Sequence, residues 1–219
     1  MADMLRGRAA ASHLVTGCNF HFGKARAGSP EFLREIGERD GFGVTTVEAK
    51  EDDGDPISSS RIRRQLGAGD VAAAADLLGY RWRVGGVVAK GAQLGRTLGY
   101  PTANLALADN CRLAHGVYAV RLRRSDGSLH EGVGSFGRRP TFDNGAPLLE
   151  TFVFDFSGDL YGERVEISLF KRLRGEEKFD SAEALVEQMD RDSEAARKAL
   201  AAATPLSDLD RHLSFEGKA

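Results

Sequence analysis

The chain has 219 residues, 42% of them apolar and 28% charged, with a formal net charge of −2. That is the composition of a folded globular chain of one large or two small domains, and its balance argues against a broad nucleic-acid-binding surface while allowing a local basic pocket for phosphates. No apolar run is long enough to span a bilayer, the start MADMLRGRAA lacks the core of a secretion signal, and two distant cysteines, Cys18 and Cys111, without CxxC spacing fit reduced thiols in the cytoplasm.

Residues 1–79 alternate strand and helix signals. His13–Gly17 is a short apolar run ending in glycine, and Pro30–Ile36 reads as a helix with Ser29 at its N-cap and Pro30 in the first turn. Gly43–Ala49 has strand composition. Ser58–Leu66 and Asp70–Leu78 read as two helices broken at Gly67 and Gly69, with Asp70 as N-cap. This order favours a partial α/β sheet.

From Tyr80 the pattern changes to strands: Arg83–Ala89, Gly116–Arg124, Leu148–Phe156 and Val165–Phe170. Tyr118, Val120 and Leu122 alternate onto one face. Ser125-Asp126-Gly127 and Asp143-Asn144-Gly145 are hairpin turns, so a small antiparallel barrel is expected over residues 80–204. A helix from about Ser181 to Ala201 closes it. Asp180 is its expected cap, with Glu183 three residues on, and Leu185, Met189, Ala196 and Leu200 form a stripe expected to pack on the barrel. Residues 205–219 read as a loose polar tail.

The segment Gly91-Ala-Gln-Leu-Gly95-Arg96-Thr-Leu-Gly99-Tyr-Pro-Thr102-Ala-Asn104 follows a strand and spaces three glycines four residues apart. Such a backbone approaches ligands closely and can turn successive N–H groups onto an anion. Lys90 and Arg96 add positive charge, and the lack of Gly-Lys-Ser/Thr excludes a Walker A loop. Thr102 and Asn104 offer hard oxygen ligands on one face of an extended segment. A phosphate hollow beside a magnesium perch suits phosphoryl transfer. The plainer reading of the same residues is a loop followed by a turn.

Glu150 shares strand parity with Phe152, Phe154 and Phe156. A carboxylate on an apolar face is partly desolvated and can serve as a general base. Alternatively, Glu150 reaches water at the strand end or pairs with Arg138 or Arg139.

Together these segments resemble the riboflavin kinase family. The motifs that carry the resemblance are 95–104, Gly-Val-Tyr-Ala (116–119), Arg-Arg-Pro-Thr-Phe (138–142), Leu-Glu-Thr-Phe-Val-Phe-Asp-Phe (149–156), Gly-Asp-Leu-Tyr-Gly (158–162) and Leu-Arg-Gly-Glu-Glu-Lys-Phe-Asp (173–180). The resemblance implies a six-stranded antiparallel barrel with a C-terminal helix. It implies ATP and riboflavin as substrates and FMN as product. Gly91, Arg96, Gly99, Thr102 and Tyr161 would lie about the nucleotide, and Thr102 and Asn104 would hold Mg2+. Glu150 would deprotonate the ribityl 5′-hydroxyl, and Arg174 and Phe179 would border the flavin. Gly134-Ser135-Phe136 departs from the family's more usual Ala-Asn-Ile, a change expected to affect packing more than chemistry.

Residues 1–79 resemble the end of the FMN adenylyltransferase domain of bacterial bifunctional enzymes, a Rossmann-like nucleotidyltransferase. The match runs through Val15–Lys24 and through Ile57–Arg63, where Ser58, Ser59, Ser60 and Arg61 would contact phosphates. Alone, the second segment reads as a capped basic helix start. None of His13, His21, His115, His130 and His212 forms the family's His-x-Gly-His pair, so little or no FAD synthesis is expected. Small molecules are the expected partners; neither nucleic acid nor membrane is, and nothing indicates an oligomeric state.

Overall fold

In the computed structural model, which describes residues 10–91, 99–138 and 146–217, the chain divides after Ile57 into two compact units. In the first, β1 (His13–Gly17) and β2 (Gly43–Val47) pair in parallel, joined through α1 (Pro30–Asp40). The Ser29 hydroxyl accepts from the Phe32 N–H at 3.3 Å, and Pro30 fills the first turn, where a missing N–H breaks no helix bond. The helix outruns its expected end at Ile36 and stops at Gly41, which takes the left-handed conformation at φ 78°. A strand–helix–parallel strand unit is the building block of α/β sheets. A small hairpin, β3 (Glu51–Asp52) with β4 (Asp55–Pro56), follows.

The second unit begins with α2 (Ser59–Ala68) and α3 (Val71–Leu78). Their sequence pattern groups them with the first half, but their packing does not. Leu66, Val71 and Ala74 are buried in the core of the barrel that follows, with Ile62 packed at its edge. Gly67 does not break α2 as expected; the chain turns at Gly69, φ 82°. Asp70 caps α3, accepting from the Ala73 N–H at 3.0 Å.

Six strands form the barrel: β5 (Arg83–Val87), β6 (Thr102–Ala106), β7 (Gly116–Arg123), β8 (Leu129–Arg138), β9 (Pro147–Val153) and β10 (Arg164–Arg174). Their order is β5-β10-β7-β8-β9-β6, with every pair antiparallel. The Ala89 N–H donates to the Asn104 carbonyl at 2.9 Å and brings the two ends of the sheet together, so the barrel is nearly closed. Tyr118, Val120 and Leu122 point inward and are fully buried with Leu105, Leu149, Ile167 and Leu169. Each such side chain stabilises the fold by about 1.5–3 kcal/mol.

Helix α4 (Ala182–Ala201) lies across the barrel. Its cap is Ser181, not Asp180: the Ser181 hydroxyl accepts from the Ala184 N–H at 3.1 Å. Glu183 therefore falls one residue short of a reciprocal capping pair. Its own backbone N–H, with the Ser181 hydroxyl, holds its carboxyl below the usual carboxylate range. Ala196 and Leu200 are buried against Ala119, Phe154 and Phe170. Leu185 and Met189, expected in the same packed stripe, instead overhang an open cleft.

The C-terminal segment is not a loose tail. Residues Asp208–Ser214 form α5, capped by Ser207. Asp210 is fully buried; it pairs with the Arg81 guanidinium and accepts from the N–H groups of Arg81 at 2.9 Å and Leu206 at 3.0 Å. Arg121 and Arg123 of β7 donate to the carbonyls of Leu200, Leu213 and Ser214. Phe215 lies against the guanidinium groups of Arg81 and Arg121. The tail reads as polar because the groups that anchor it are polar and satisfied by barrel arginines. No described helix is long and apolar enough to cross a membrane.

Candidate active site

The register of the barrel places Asn104, Glu150, Ser135, Val117 and Arg174 in one continuous cross-strand row over β6, β9, β8, β7 and β10. The adjoining row runs Thr102, Phe152, Val133, Ala119 and Lys171. Within β9, Leu149, Thr151 and Val153 take the inner face and are buried, leaving Leu148, Glu150 and Phe152 half-buried on the outer one. Irregularities in the pairing with β7 at Phe170 and Leu173 shift β10 by one residue each time. The shift at Leu173 turns Arg174 to the side of Val117; an unbroken ladder would face it the other way.

Above these rows α4 stands off the sheet and leaves a cleft of about 210 Å³. Its floor is Thr102, Glu150, Ser135, Val117 and Arg174; Tyr100, Leu185, Met189 and Asp192 form its wall. The Tyr100 ring lies 4.7 Å from that of Phe152, and its hydroxyl donates to Asp190 of α4. Burial, then the Asp190 carboxylate, pushes the Tyr100 phenol up to about 12. Arg174 is held by Asp192, with Nη2 to Oδ2 at 2.8 Å and Nε to Oδ1 at 3.0 Å, and its guanidinium lies 5.6 Å from the Phe179 ring. Phe179 touches Arg174 without lining the cleft.

Thr102 is shared with a smaller hollow of about 50 Å³, lined also by Pro101, Asp159, Leu160 and Tyr161. The Lys90 ammonium sits 5.7 Å from the Tyr161 ring centre. Asn104 is buried, and its Oδ1 has no hydrogen-bond partner among the described residues. Gly91 lies directly against it: a Cβ on Gly91 would come within 2.5 Å of Asn104 Nδ2. Gly99 takes φ 84° just before Tyr100, Pro101 and Thr102, a turn only glycine makes without strain. Arg96 and the 143–145 turn lie outside the described residues.

The structure thus brings Gly91, Thr102, Asn104, Glu150 and Arg174 to one side of the sheet, with Tyr161 on the far side of Thr102. Of the three phenylalanines expected beside Glu150, Phe152 and Phe154 share its face, their rings 5.8 Å apart, and Phe156 does not. Strand β9 ends at Val153 and Asp155 turns with φ 53°, so Phe154 packs under α4 and Phe156 faces the smaller hollow. Glu150 also borders a hollow with Arg138 and Glu176; the Arg138 guanidinium donates to the Asp109 carbonyl at 3.1 Å, and Arg139 lies outside the described residues. Ser135, in the segment whose departure from the family is expected to affect packing more than chemistry, lies beside Glu150 and faces the cleft. Asp192 and Tyr100 went unnoticed because no local pattern distinguishes them. Ser58 caps α2, its hydroxyl accepting from the Arg61 N–H at 3.2 Å, with Ser59 and Ser60 exposed in the first turn.

Residues 78–200, more than half of the chain, match the family described as riboflavin kinase, and residues 1–61 match that described as FAD synthetase. The bifunctional riboflavin kinase/FMN adenylyltransferase of Haemophilus influenzae is 39% identical over 184 residues, which cover 84% of this chain and 60% of that protein. Its namesake from Pseudomonas fluorescens is 41% identical over 191 residues, covering 87% and 61%. A crystal structure described as a macrolide-efflux protein from Streptococcus pneumoniae matches with a TM-score of 0.77 at 35% identity, over 90% of this chain and 64% of that one. The chain spans about three fifths of the length of the curated relatives it matches.

Proposed function

The chain belongs to the riboflavin kinase family, and on that premise we propose that its cleft transfers the γ-phosphoryl group of ATP to the ribityl 5′-hydroxyl of riboflavin, giving FMN and ADP. The observation that carries the reading is the row Asn104–Glu150–Ser135–Val117–Arg174. Glu150 and Arg174 stand three strand spacings apart, roughly 14 Å along the sheet. Riboflavin laid along that row presents its 5′-hydroxyl to Glu150 and its ring to Arg174, with Phe179 beside the guanidinium.

Glu150 accepts the hydroxyl proton as the oxygen attacks phosphorus, the task of a general base. Asn104 and Thr102 would hold Mg2+: Asn104 Oδ1 is a buried hard oxygen with no hydrogen-bond partner among the described residues, the kind of ligand magnesium takes beside substrate phosphates. The ion, when bound, offsets the negative charge of the phosphates. Gly91 and Gly99 flank the loop along which the triphosphate would approach, with Tyr161 and Lys90 on the nucleotide side of Thr102. Leu185 and Met189 keep water from the flavin face. A cytoplasmic setting, where ATP is abundant and Cys18 and Cys111 stay reduced, belongs to the same reading.

The test is incubation of the chain with riboflavin, ATP and Mg2+, with the flavins separated by chromatography. FMN should accumulate in step with ADP, and its absence would defeat the proposal.

A further inference from the structure

Asp192 is the buried acid of the cleft wall, 5% exposed. Its carboxylate accepts from Arg174 Nε at 3.0 and 3.1 Å, from Arg174 Nη2 at 2.8 Å, and from Gln188 Nε2, one turn earlier on α4, at 2.9 Å. Arg174 Nη1 donates to the Gly175 carbonyl at 2.9 Å. A side-on carboxylate–guanidinium pair fixes the plane of both groups. Burying such a pair is costly, and apolar residues of similar volume often stabilise a fold as well or better. The same face of α4 carries Leu185 and Met189, so an apolar contact suits this position. A fixed charge pair at the end of a substrate cleft is therefore better explained by recognition than by stability.

We infer that Asp192 is a positioning residue: it holds the Arg174 guanidinium in one plane at the end of the cleft and cancels its charge, so that this end receives a neutral ring bearing hydrogen-bond acceptors. The inference rests on the kinase reading and names what the Arg174 end of that site selects. An arginine carries five N–H groups. Asp192 takes those of Nε and one on Nη2, and Gly175 takes one on Nη1. Among the described residues one N–H remains on each terminal nitrogen, the exposed Glu177 carboxylate standing off at 4.0 Å from Nη1, and the two form a planar pair of donors suited to the carbonyl and ring-nitrogen acceptors at the polar edge of an isoalloxazine. An unpaired guanidinium would attract the other substrate, a polyanion. Paired with Asp192 it carries no net charge, and the triphosphate gains nothing by binding at the wrong end of the row.

The test is steady-state kinetics of Asp192→Asn, varying each substrate at saturating levels of the other. The KM for riboflavin should rise about tenfold or more, the loss expected when a charged hydrogen-bond partner is misplaced, while kcat and the KM for ATP stay within about twofold. Asp192→Glu should recover part of the loss. The double variant R174M/D192L removes both charges and keeps the volume. It should melt close to the wild type and bind riboflavin at least about tenfold more weakly by flavin fluorescence. Wild-type riboflavin affinity in the double variant, or equal losses for both substrates in Asp192→Asn, overturns the inference. A wild-type chain that binds riboflavin but forms no FMN defeats the kinase reading instead, and the fluorescence titrations still decide the role of Asp192.

Discussion

Asn104 of β6 and Glu150 of β9 are direct cross-strand partners, so the amide oxygen, without a hydrogen-bond partner among the described residues, and the carboxylate project from neighbouring backbones on one face. Partners in this position hold their Cβ atoms about 5 Å apart. That is the spacing at which a cation on one group and a hydroxyl at the other belong to the same reacting centre. Glu150→Gln keeps the shape of the side chain and removes its basicity. Turnover should fall by about 10²–10⁴-fold, the usual contribution of a general base, while riboflavin still quenches on binding. Retained turnover in this variant would take Glu150 out of the mechanism.

Gly91 offers a test that leaves every proposed ligand in place. A methyl at this position would come within 2.5 Å of the Asn104 amide, which is itself buried and has little room to swing aside. Gly91→Ala should therefore displace the amide without unfolding the barrel. A shift of the order of 1 Å at a reacting centre can lower the rate about 100-fold. The expected outcome is a fall in kcat at an unchanged melting temperature, with the Mg2+ concentration for half-maximal rate raised. An unaltered Mg2+ dependence would argue that Asn104 holds no ion.

Much of this architecture is legible in the chain because its signals are local. The alternation of Tyr118, Val120 and Leu122 gives the inward face of β7, Ser29 before Pro30 gives the start of α1, and the parity of Thr102 with Asn104 gives their common side. Residues far apart in sequence are another matter. That β6 lies against β9, and so Asn104 against Glu150, is a long-range pairing with no local signature. The extra residue at Leu173 decides which way Arg174 faces, and a bulge is invisible to a period-two reading. The stripe on α4 was legible as apolar, but whether Leu185 and Met189 meet a packed sheet or an open cleft depends on how far the helix stands from the barrel. The helix α5 was hidden for the opposite reason: composition registers Asp210 as solvated, whereas Arg81 lets it be buried.

That pair supports a stability prediction. Asp210 is fully buried and Arg81 nearly so. Removing one member leaves the other as an uncompensated buried charge, a loss of about 3–5 kcal/mol. Asp210→Ala should show this in urea unfolding followed by the fluorescence of Trp82, the single tryptophan, which packs against the barrel core next to Arg81. The double variant R81M/D210L should recover only part of the loss, because the backbone N–H groups of Arg81 and Leu206 still lack their acceptor. A single variant within about 0.5 kcal/mol of wild type, the range of an ordinary surface change, would show that α5 does not clamp the barrel.

The barrel interior also sets an alkaline limit. Tyr118 is fully buried and its hydroxyl donates to the Ala114 carbonyl. Burial pushes this phenol up to about 12, against an ordinary value near 10. The neutral form is the one the fold prefers, so the contribution of Tyr118 is complete below about pH 10, where the unfolded chain also keeps its proton, and is lost as pH rises from there through about 12. Urea midpoints read from Trp82 should be flat for this group up to pH 9 and then fall. Tyr118→Phe starts lower, because the Ala114 carbonyl loses its donor, but should fall less steeply between pH 10 and 12. Wild-type and variant curves that run parallel across that window would mean that Tyr118 ionises inside the folded barrel as readily as in water, the Arg172 guanidinium beside it then offsetting burial in full.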